Sequence, residues 1–183
     1  IMQVSIHSWL TENLNKGSNV AYDPKLHSIS QIKKLSAGLD KQEITLTPLE
    51  ENPIDMLWSE RPAPPDGSIH PHTDIFAGQS SSDKRKDISA KLVAEQADAL
   101  LITQPENSAW LLNIRGEDVP RTPFALSFCI LKEDKSVAWF IDPDRLSSDL
   151  EAHFEDNVEI IRPEDMKTYL ENMTGKVLVD PSH

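Results

Sequence analysis

Residues Ser108–Leu131 have the sequence SAWLLNIRGEDVPRTPFALSFCIL, in which a short apolar helix, a turn, a polar loop and a strong strand follow one another. The apolar run Trp110–Leu112 predicts a buried helix. Asn113 and Gly116 favour the end of that helix, because both residue types tolerate left-handed backbone. The prolines that follow keep the loop non-helical. Arg115 is therefore expected to lie between a buried helix and a rigid turn.

The role of Arg115 has two interpretations. In the first, its guanidinium satisfies carbonyls at the helix end or pairs with one of the many carboxylates of this chain, as most arginines near helix ends do. In the second, the loop Gly116–Pro123 projects toward a ligand or a neighbouring domain. Both interpretations are carried forward to the structure.

Strands and helices alternate around this loop. Apolar side chains alternate along the predicted strand Pro123–Leu131, and a turn at Glu133–Lys135 folds Val137–Ile141 back as its hairpin partner. Other strands are predicted at Ala99–Thr103, Val158–Ile161 and Lys176–Val179, and helices around Ile88–Ala97, Leu146–Phe154 and Met166–Met173. Strands alternating with helices, plus one hairpin, predict an α/β fold with a mixed β-sheet flanked by helices on both faces.

The front of the chain predicts a smaller α/β unit. An amphipathic helix is expected near Ser5–Lys16, a strand at Val20–Tyr22, a helix that ends near Leu39 and a second strand at Ile44–Leu46. Two strands do not make a stable sheet alone, so we expect this part to be the remnant of a domain that begins earlier. The start at Ile1 likewise predicts that the chain is part of a longer protein.

A proline-dense segment marks the predicted domain boundary. The run Arg61–Gly67 holds too many prolines for a helix or a central strand and favours an extended, semi-rigid spacer. We therefore divide the chain into a first α/β domain at residues 1–58, a linker at 59–78 and a second α/β domain at 79–183. Within the linker, His70, His72 and Asp74 permit a zinc-site interpretation, but residues around a proline are poorly pre-organised for a metal, and a solvated linker is the preferred interpretation.

Composition excludes several classes of partner. The 183 residues carry a formal net charge of −12, which repels nucleic-acid phosphates and anionic lipid surfaces. No apolar run approaches the length needed to span a membrane. The single cysteine, Cys129, excludes an internal disulfide and fits a reducing cytoplasm. We expect a cytoplasmic protein that binds neither nucleic acid nor membrane.

Catalytic motifs are absent from the sequence. The chain has no GxSxG elbow, no HExxH, no phosphate-binding glycine loop and no CxxC pair. Cys129 alternates with apolar residues, which favours an inert buried thiol over a nucleophile. Asp142, Asp144 and Asp149 flank a helix start and favour capping over acid–base chemistry. The chain is predicted to be non-catalytic.

Five stretches in addition to WLLNIRGEDVPRTP carry a family resemblance. They are YDPKLHS at 22–28, PLEENPIDMLWSERPAPP at 48–65, HPHTDIFAGQSSSDKRKDI at 70–88, WFIDPDRL at 139–146 and VLVDPS at 177–182. In this order they resemble the non-catalytic amino-terminal domains of three-domain Xaa-Pro aminopeptidases (aminopeptidase P), members of the creatinase and prolidase superfamily. The resemblance covers nearly all of the chain and implies a creatinase amino-terminal-like, ribonuclease-H-like fold.

The resemblance also implies where the chemistry lies. In this family, a carboxy-terminal pita-bread domain holds two divalent metal ions, usually manganese, through two aspartates, a histidine and two glutamates. That domain removes the first residue from peptides with proline in second position. None of the five ligand positions falls in this chain, so we expect no cofactor here and expect the pita-bread domain as its partner.

The resemblance implies a supporting role for this chain. Amino-terminal domains in the family restrict the active-site entrance and shape homo-oligomers, and a loop of one subunit can reach the active site of its partner. By this analogy Arg115, Asp118 and Arg121 are the candidates for entrance or interdomain contacts. The alternative function is a non-enzymatic peptide- or protein-binding module, since histone chaperones use the same scaffold without cleaving peptides.

Overall fold

The computed structural model describes residues 4–154 and 157–183, and Ile1, the basis for expecting a longer protein, lies outside them. The chain forms two compact units. Unit 1 comprises Ile1–Ala63 with Pro181–His183, and unit 2 comprises Pro64–Asp180. Among the described residues, no helix is both long enough and apolar enough to cross a bilayer.

Unit 1 is a small α/β arrangement. Its helices are α1 (Ile6–Asn13), α2 (Ile29–Leu39) and α3 (Pro53–Leu57), and its strands are β1 (Asn19–Tyr22) and β2 (Thr45–Pro48). The two strands pair in parallel, as expected for a strand, helix, strand unit. Ser28 and Gln31 form a capping box that starts α2. Leu10, Leu39 and Ile44 form the buried core.

Unit 2 contains a five-stranded mixed sheet in the order β8-β7-β6-β4-β9. The strands of unit 2 are β3 (Ile69–Pro71), β4 (Ala99–Ile102), β5 (Ile114–Gly116), β6 (Phe128–Lys132), β7 (Val137–Phe140), β8 (Val158–Ile161) and β9 (Val177–Leu178). Its helices are α4 (Asp74–Ala77), α5 (Ser81–Ala94), α6 (Pro105–Leu112), α7 (Ser148–His153) and α8 (Met166–Asn172). Parallel pairing of β4 with β9 and of β7 with β8 surrounds an antiparallel centre. The predicted mixed α/β fold is confirmed.

Side-chain alternation buries both faces of this sheet. Cys129 and Trp139 point into one apolar cluster, which includes residues of α5, α6 and α7. Ile130 and Phe140 point into the other, which is closed by the Met and aromatic side chains of α8. A sheet covered on both faces needs apolar residues at consecutive positions, and β7 is buried at every residue.

Two local expectations were wrong in detail. The strand predicted at Pro123–Leu131 begins only at Phe128, because the preceding residues form a loop in which Asp118 accepts a hydrogen bond from the amide of Leu126 at 2.6 Å. The segment predicted as a turn after α6 instead contains β5, which pairs antiparallel with β3. The buried side chain of Ile69 holds this pair in place.

The division into residues 1–58, 59–78 and 79–183 stays a prediction. Within the middle segment, β3 and α4 are regular elements of unit 2. His70 is exposed and lies opposite Arg115 across the β3–β5 pair. No three His, Cys, Asp or Glu side chains among the described residues are grouped in a way that could hold a metal ion.

Candidate functional site

Asn113 terminates helix α6 and joins three other segments to it. Its backbone is left-handed, with φ at 50°, and only 1% of the residue is exposed. The side-chain Nδ2 donates to Asp74 Oδ1 at 2.9 Å and to the carbonyl of Gln79 at 2.8 Å. Its Oδ1 accepts a 2.5 Å hydrogen bond from Lys84 Nζ. Asn113 therefore ends the helix and also fixes the start of α5 against it.

The last carbonyls of α6 accept hydrogen bonds from side chains of other elements. Lys84 Nζ donates to the carbonyl of Trp110 at 3.0 Å, and the Ser81 hydroxyl donates to that of Leu111 at 2.8 Å. His153 Nε2 lies 3.0 Å from the carbonyl of Leu112. Helix ends leave such carbonyls without intrahelical partners, so these side chains supply what the helix lacks.

Arg115 does not cap that helix end. Its Nη1 donates to the carbonyl of the adjacent Ile114 at 2.9 Å, and the side chain is half-buried. Lys84, Ser81 and His153 bond the last carbonyls of α6, and the described hydrogen bond of Arg115 is to none of them. Arg115 instead lines a cavity of about 400 Å³, which we call the Trp110 cavity. Its principal lining residues are His72, Phe76, Lys84, Trp110, Arg115 and Phe124.

Two permanent cations, Lys84 and Arg115, and one carboxylate, Glu106, line the Trp110 cavity. Burial lowers the pKa of Lys84, the charge of Arg115 lowers it further, and only Asp74 acts in the opposite direction. Burial likewise lowers the pKa of His72, with Arg115 and Lys84 as the next causes. Lys84 Nζ also lies 4.7 Å from the centre of the Trp110 ring, a cation–π distance.

Asp118 lies beneath the loop rather than on its surface. Its carboxylate, whose side chain is 0% exposed, accepts from Arg145 Nη2 at 2.6 Å and from the amide of Leu126 at 2.6 Å. Arg145 Nη2 also donates to the carbonyl of Gly67 at 2.7 Å. Asp118 thus ties the loop to the segment after β7 and to the start of unit 2.

Arg121 lies at an exposed turn of the same loop. Its backbone is left-handed, with φ at 65°, and Val119 and Thr122 form a bridge on either side of it. No hydrogen bond or ion pair within the described ranges, 4–154 and 157–183, joins the three predicted candidates to one another. The structure therefore places Arg115 at a cavity, Asp118 inside the fold and Arg121 at the tip of the loop.

Sequence reasoning missed Lys84. Lys84 lies in the basic run Lys84-Arg85-Lys86, which the sequence alone does not distinguish from a solvated cluster, yet Lys84 is 3% exposed and Arg85 is 5% exposed. The available signal was its helical register, since Lys84 precedes Ile88 and Leu92 at intervals of four. A lysine on the apolar face of a helix is expected to be buried and therefore to need hydrogen-bond acceptors inside the fold.

A second cavity of about 650 Å³ lies on the other side of the sheet. Its lining includes Asp98, Lys132, Glu133, Asp134, Asp165 and Tyr169. Several of these groups already have structural partners. Asp98 accepts a hydrogen bond from the amide of Lys176. Lys132 Nζ lies 5.5 Å from the centre of the Tyr169 ring, and a hydrogen bond with the Tyr169 side chain is the main cause that raises the pKa of Lys132.

Cys129 is buried as predicted, and its reactivity can be tested. Burial raises the pKa of this thiol to about 12. Because the thiolate is the reactive form, we expect Ellman's reagent at pH 8 to react about a thousandfold more slowly with the native chain than with a free cysteine. In 6 M urea the same thiol should react fully within minutes. Stoichiometric labelling of the native chain on that short timescale would contradict this prediction.

The comparisons with known proteins agree with the sequence resemblance. The model of the Creatinase/Prolidase N-terminal domain family matches residues 60–183. The probable Xaa-Pro aminopeptidase P of Aspergillus niger is 32% identical over 86% of this chain, and aminopeptidase P1 of Lotus japonicus is 31% identical over 84%. The crystal structure of X-prolyl aminopeptidase from Caenorhabditis elegans, described as a cytosolic enzyme with a di-nuclear active site, matches 92% of this chain at 27% identity with a TM-score of 0.84.

These matches cover only part of each relative. The chain spans 25% of the Aspergillus protein, 23% of the Lotus protein and 28% of the Caenorhabditis chain. The match to the family model, the sequence relatives and the shared fold all point to the same family. The chain therefore belongs to the creatinase/prolidase N-terminal domain family.

Proposed function

We propose that the parent protein is a cytoplasmic, metal-dependent Xaa-Pro aminopeptidase and that this chain is its non-catalytic amino-terminal portion. The observation that carries this proposal is the sequence identity above 30% to relatives named for that activity, over more than four-fifths of the chain. Because the chain spans only about a quarter of those relatives, the reacting groups would lie in the remainder of the parent. Two divalent metal ions, manganese by family analogy, would activate the attacking hydroxide there.

The proposed role of this chain is to restrict access to the active site and to support assembly of the parent. Arg115 and Arg121 both have side chains that a neighbouring domain or subunit could reach. Asp118 would act indirectly, because its buried carboxylate holds the loop that carries Arg121. The partners would be the pita-bread domain of the same parent and a second subunit, and the substrates would be peptides with proline in second position.

The contact role predicts unequal effects of two arginine substitutions. In the full-length parent, Arg115→Ala should lower kcat/KM for a peptide with proline second by about tenfold, because it removes a charge-assisted contact from a rigid site. Arg121→Ala, which removes the same charge from an exposed turn, should stay within about twofold. Sedimentation of both variants would report domain docking and oligomer size. Equal and negligible effects on kinetics and on sedimentation would refute the proposed role.

The enzymatic proposal has its own test. Sequencing the coding region beyond His183 should reveal two aspartates, one histidine and two glutamates at the spacing of the pita-bread family. The purified parent should then release the first residue from a peptide with proline second and lose this activity after chelation. A continuation in which those ligands are replaced would refute hydrolysis and leave the peptide- or protein-binding module as the function.

A further inference from the structure

The Trp110 cavity combines aromatic walls with two cationic groups. Phe76 is 78% exposed and Trp110 is 47% exposed, so both rings present apolar surface at the cavity. Lys84 and Arg115 line the same space. Ligand sites in proteins are usually apolar cavities with a few well-placed polar groups, which matches this composition.

Neither cation forms an ion pair within the described part of the chain, although the charge of Asp74 acts favourably on Lys84 and Glu106 also lines the cavity. Lys84 bonds neutral oxygens of Trp110 and Asn113, and Arg115 bonds the neutral carbonyl of Ile114. The described ion pairs include neither cation, and Glu106 at the same cavity is exposed to solvent. A buried ammonium beside a guanidinium is electrostatically costly, and an anion placed between the two would offset that cost.

We propose that the Trp110 cavity binds the carboxyl end of a peptide whose last side chain is apolar. The carboxylate would accept hydrogen bonds from Arg115 and lie near Lys84. The apolar side chain would pack on Trp110 and Phe76. A cavity of about 400 Å³ is at the small end of the range for ligand sites, which suits a chain end better than a long segment that passes through.

Arg115 also carries the proposed interdomain contact, so the two proposals are told apart by what is measured: binding of a peptide that cannot be a substrate for this one, and turnover for the other. The probe is acetyl-Ala-Ala-Phe with a free carboxylate, whose acetyl group removes the amino end that an aminopeptidase requires. One comparison peptide is its carboxamide, and another is acetyl-Ala-Glu-Phe-amide, which carries only an internal carboxylate. Binding is followed through the indole N–H signal of Trp110 by NMR in the chain, and by calorimetry in the full-length parent.

The expected result is saturable binding of the free acid with a shift of the Trp110 signal. The amide should bind at least tenfold more weakly, because it loses the charge-assisted hydrogen bonds. Arg115→Gln should weaken binding of the acid about tenfold, and Arg115→Lys should recover part of that loss because it restores the charge. Arg121→Gln is the matched control, since it removes one positive charge from the same loop outside the cavity, and it should leave the affinity unchanged.

Four results would overturn the proposal. Equal affinities for the acid and the amide would show that neither Arg115 nor Lys84 binds the carboxylate. Equal losses in Arg115→Gln and Arg121→Gln would show a general charge effect rather than a site. Binding of the internal glutamate peptide as tightly as the free acid, or no binding to either protein at millimolar peptide, would exclude a site for peptide carboxyl ends.

Discussion

Replacing Asp118 with alanine should destabilise unit 2 by about 3–5 kcal/mol, the usual cost of removing one partner of a buried ion pair. The carboxylate is fully buried and bonds both Arg145 Nη2 and the amide of Leu126. Removal would leave the Arg145 guanidinium, only 10% exposed, without its counter-charge. It would also leave the Leu126 amide without an acceptor. Urea unfolding followed by near-UV circular dichroism would measure the change.

A double-mutant cycle separates the ion pair from the other contacts of Asp118. Arg145→Leu should also destabilise unit 2, because it leaves the Asp118 carboxylate without its charge partner. The double variant Asp118→Ala with Arg145→Leu should lose less stability than the sum of the two single changes, by about 1–3 kcal/mol. Asp118→Asn should fall between wild type and alanine, since the amide oxygen can still accept from Leu126. Strict additivity would show that the pair contributes no coupling.

The true position of Asp118 could not be predicted from the sequence. An Asp in a segment bounded by Gly116 and Pro120 is typical of a loop, and loops usually lie at the surface. Its ion-pair partner lies 27 positions further along the chain, and the Gly67 carbonyl that shares this guanidinium lies 78 positions from Arg145. The local sequence pattern carries no information about such distant contacts. It therefore predicted that Asp118 lies in a loop, but not that its carboxylate is buried.

The fold itself was largely predictable, because its elements depend on short-range periodicity. Alternating apolar side chains in β6, the short apolar run of β7 and helical spacing in α8 identified the sheet and one covering layer. The pairing of β3 with β5 was not predictable in this way. Each strand has only three residues, too few for a period, and proline in β3 argued against a strand.

The candidate site was predicted only in part. Arg115 was identified from the turn chemistry around it, and the structure places it at the Trp110 cavity. Lys84 was missed because a lysine in a basic run is normally solvated, whereas here the end of α6 supplies carbonyl and amide oxygens that bind its ammonium group. Such a site depends on two elements that meet only in the folded chain, so it follows from tertiary structure.

Gly116, the last residue of β5, should be the least replaceable glycine of unit 2. A β-carbon there would overlap the Ala125 amide nitrogen and lie 2.7 Å from the carbonyl carbon of Phe124. Both contacts are backbone atoms, which cannot rotate away as a side chain can. The loop at Phe124 and Ala125 would have to move away from β5. We therefore expect Gly116→Ala to lower the free energy of unfolding of unit 2 by about 3 kcal/mol and its Tm by about 10 °C.

Gly78→Ala is the matched control, because it adds the same methyl group within the same unit. Gly78 has a left-handed backbone with φ at 76°, and no atom lies within 4 Å of the added carbon. Its cost should be only the backbone strain of a non-glycine residue, about 1–2 kcal/mol. Thermal unfolding of both variants separates overlap from strain. Equal shifts in Tm would mean that the backbone at Phe124 and Ala125 moves aside at little cost. Gly116 would then not be needed for the close approach of β5 to that loop.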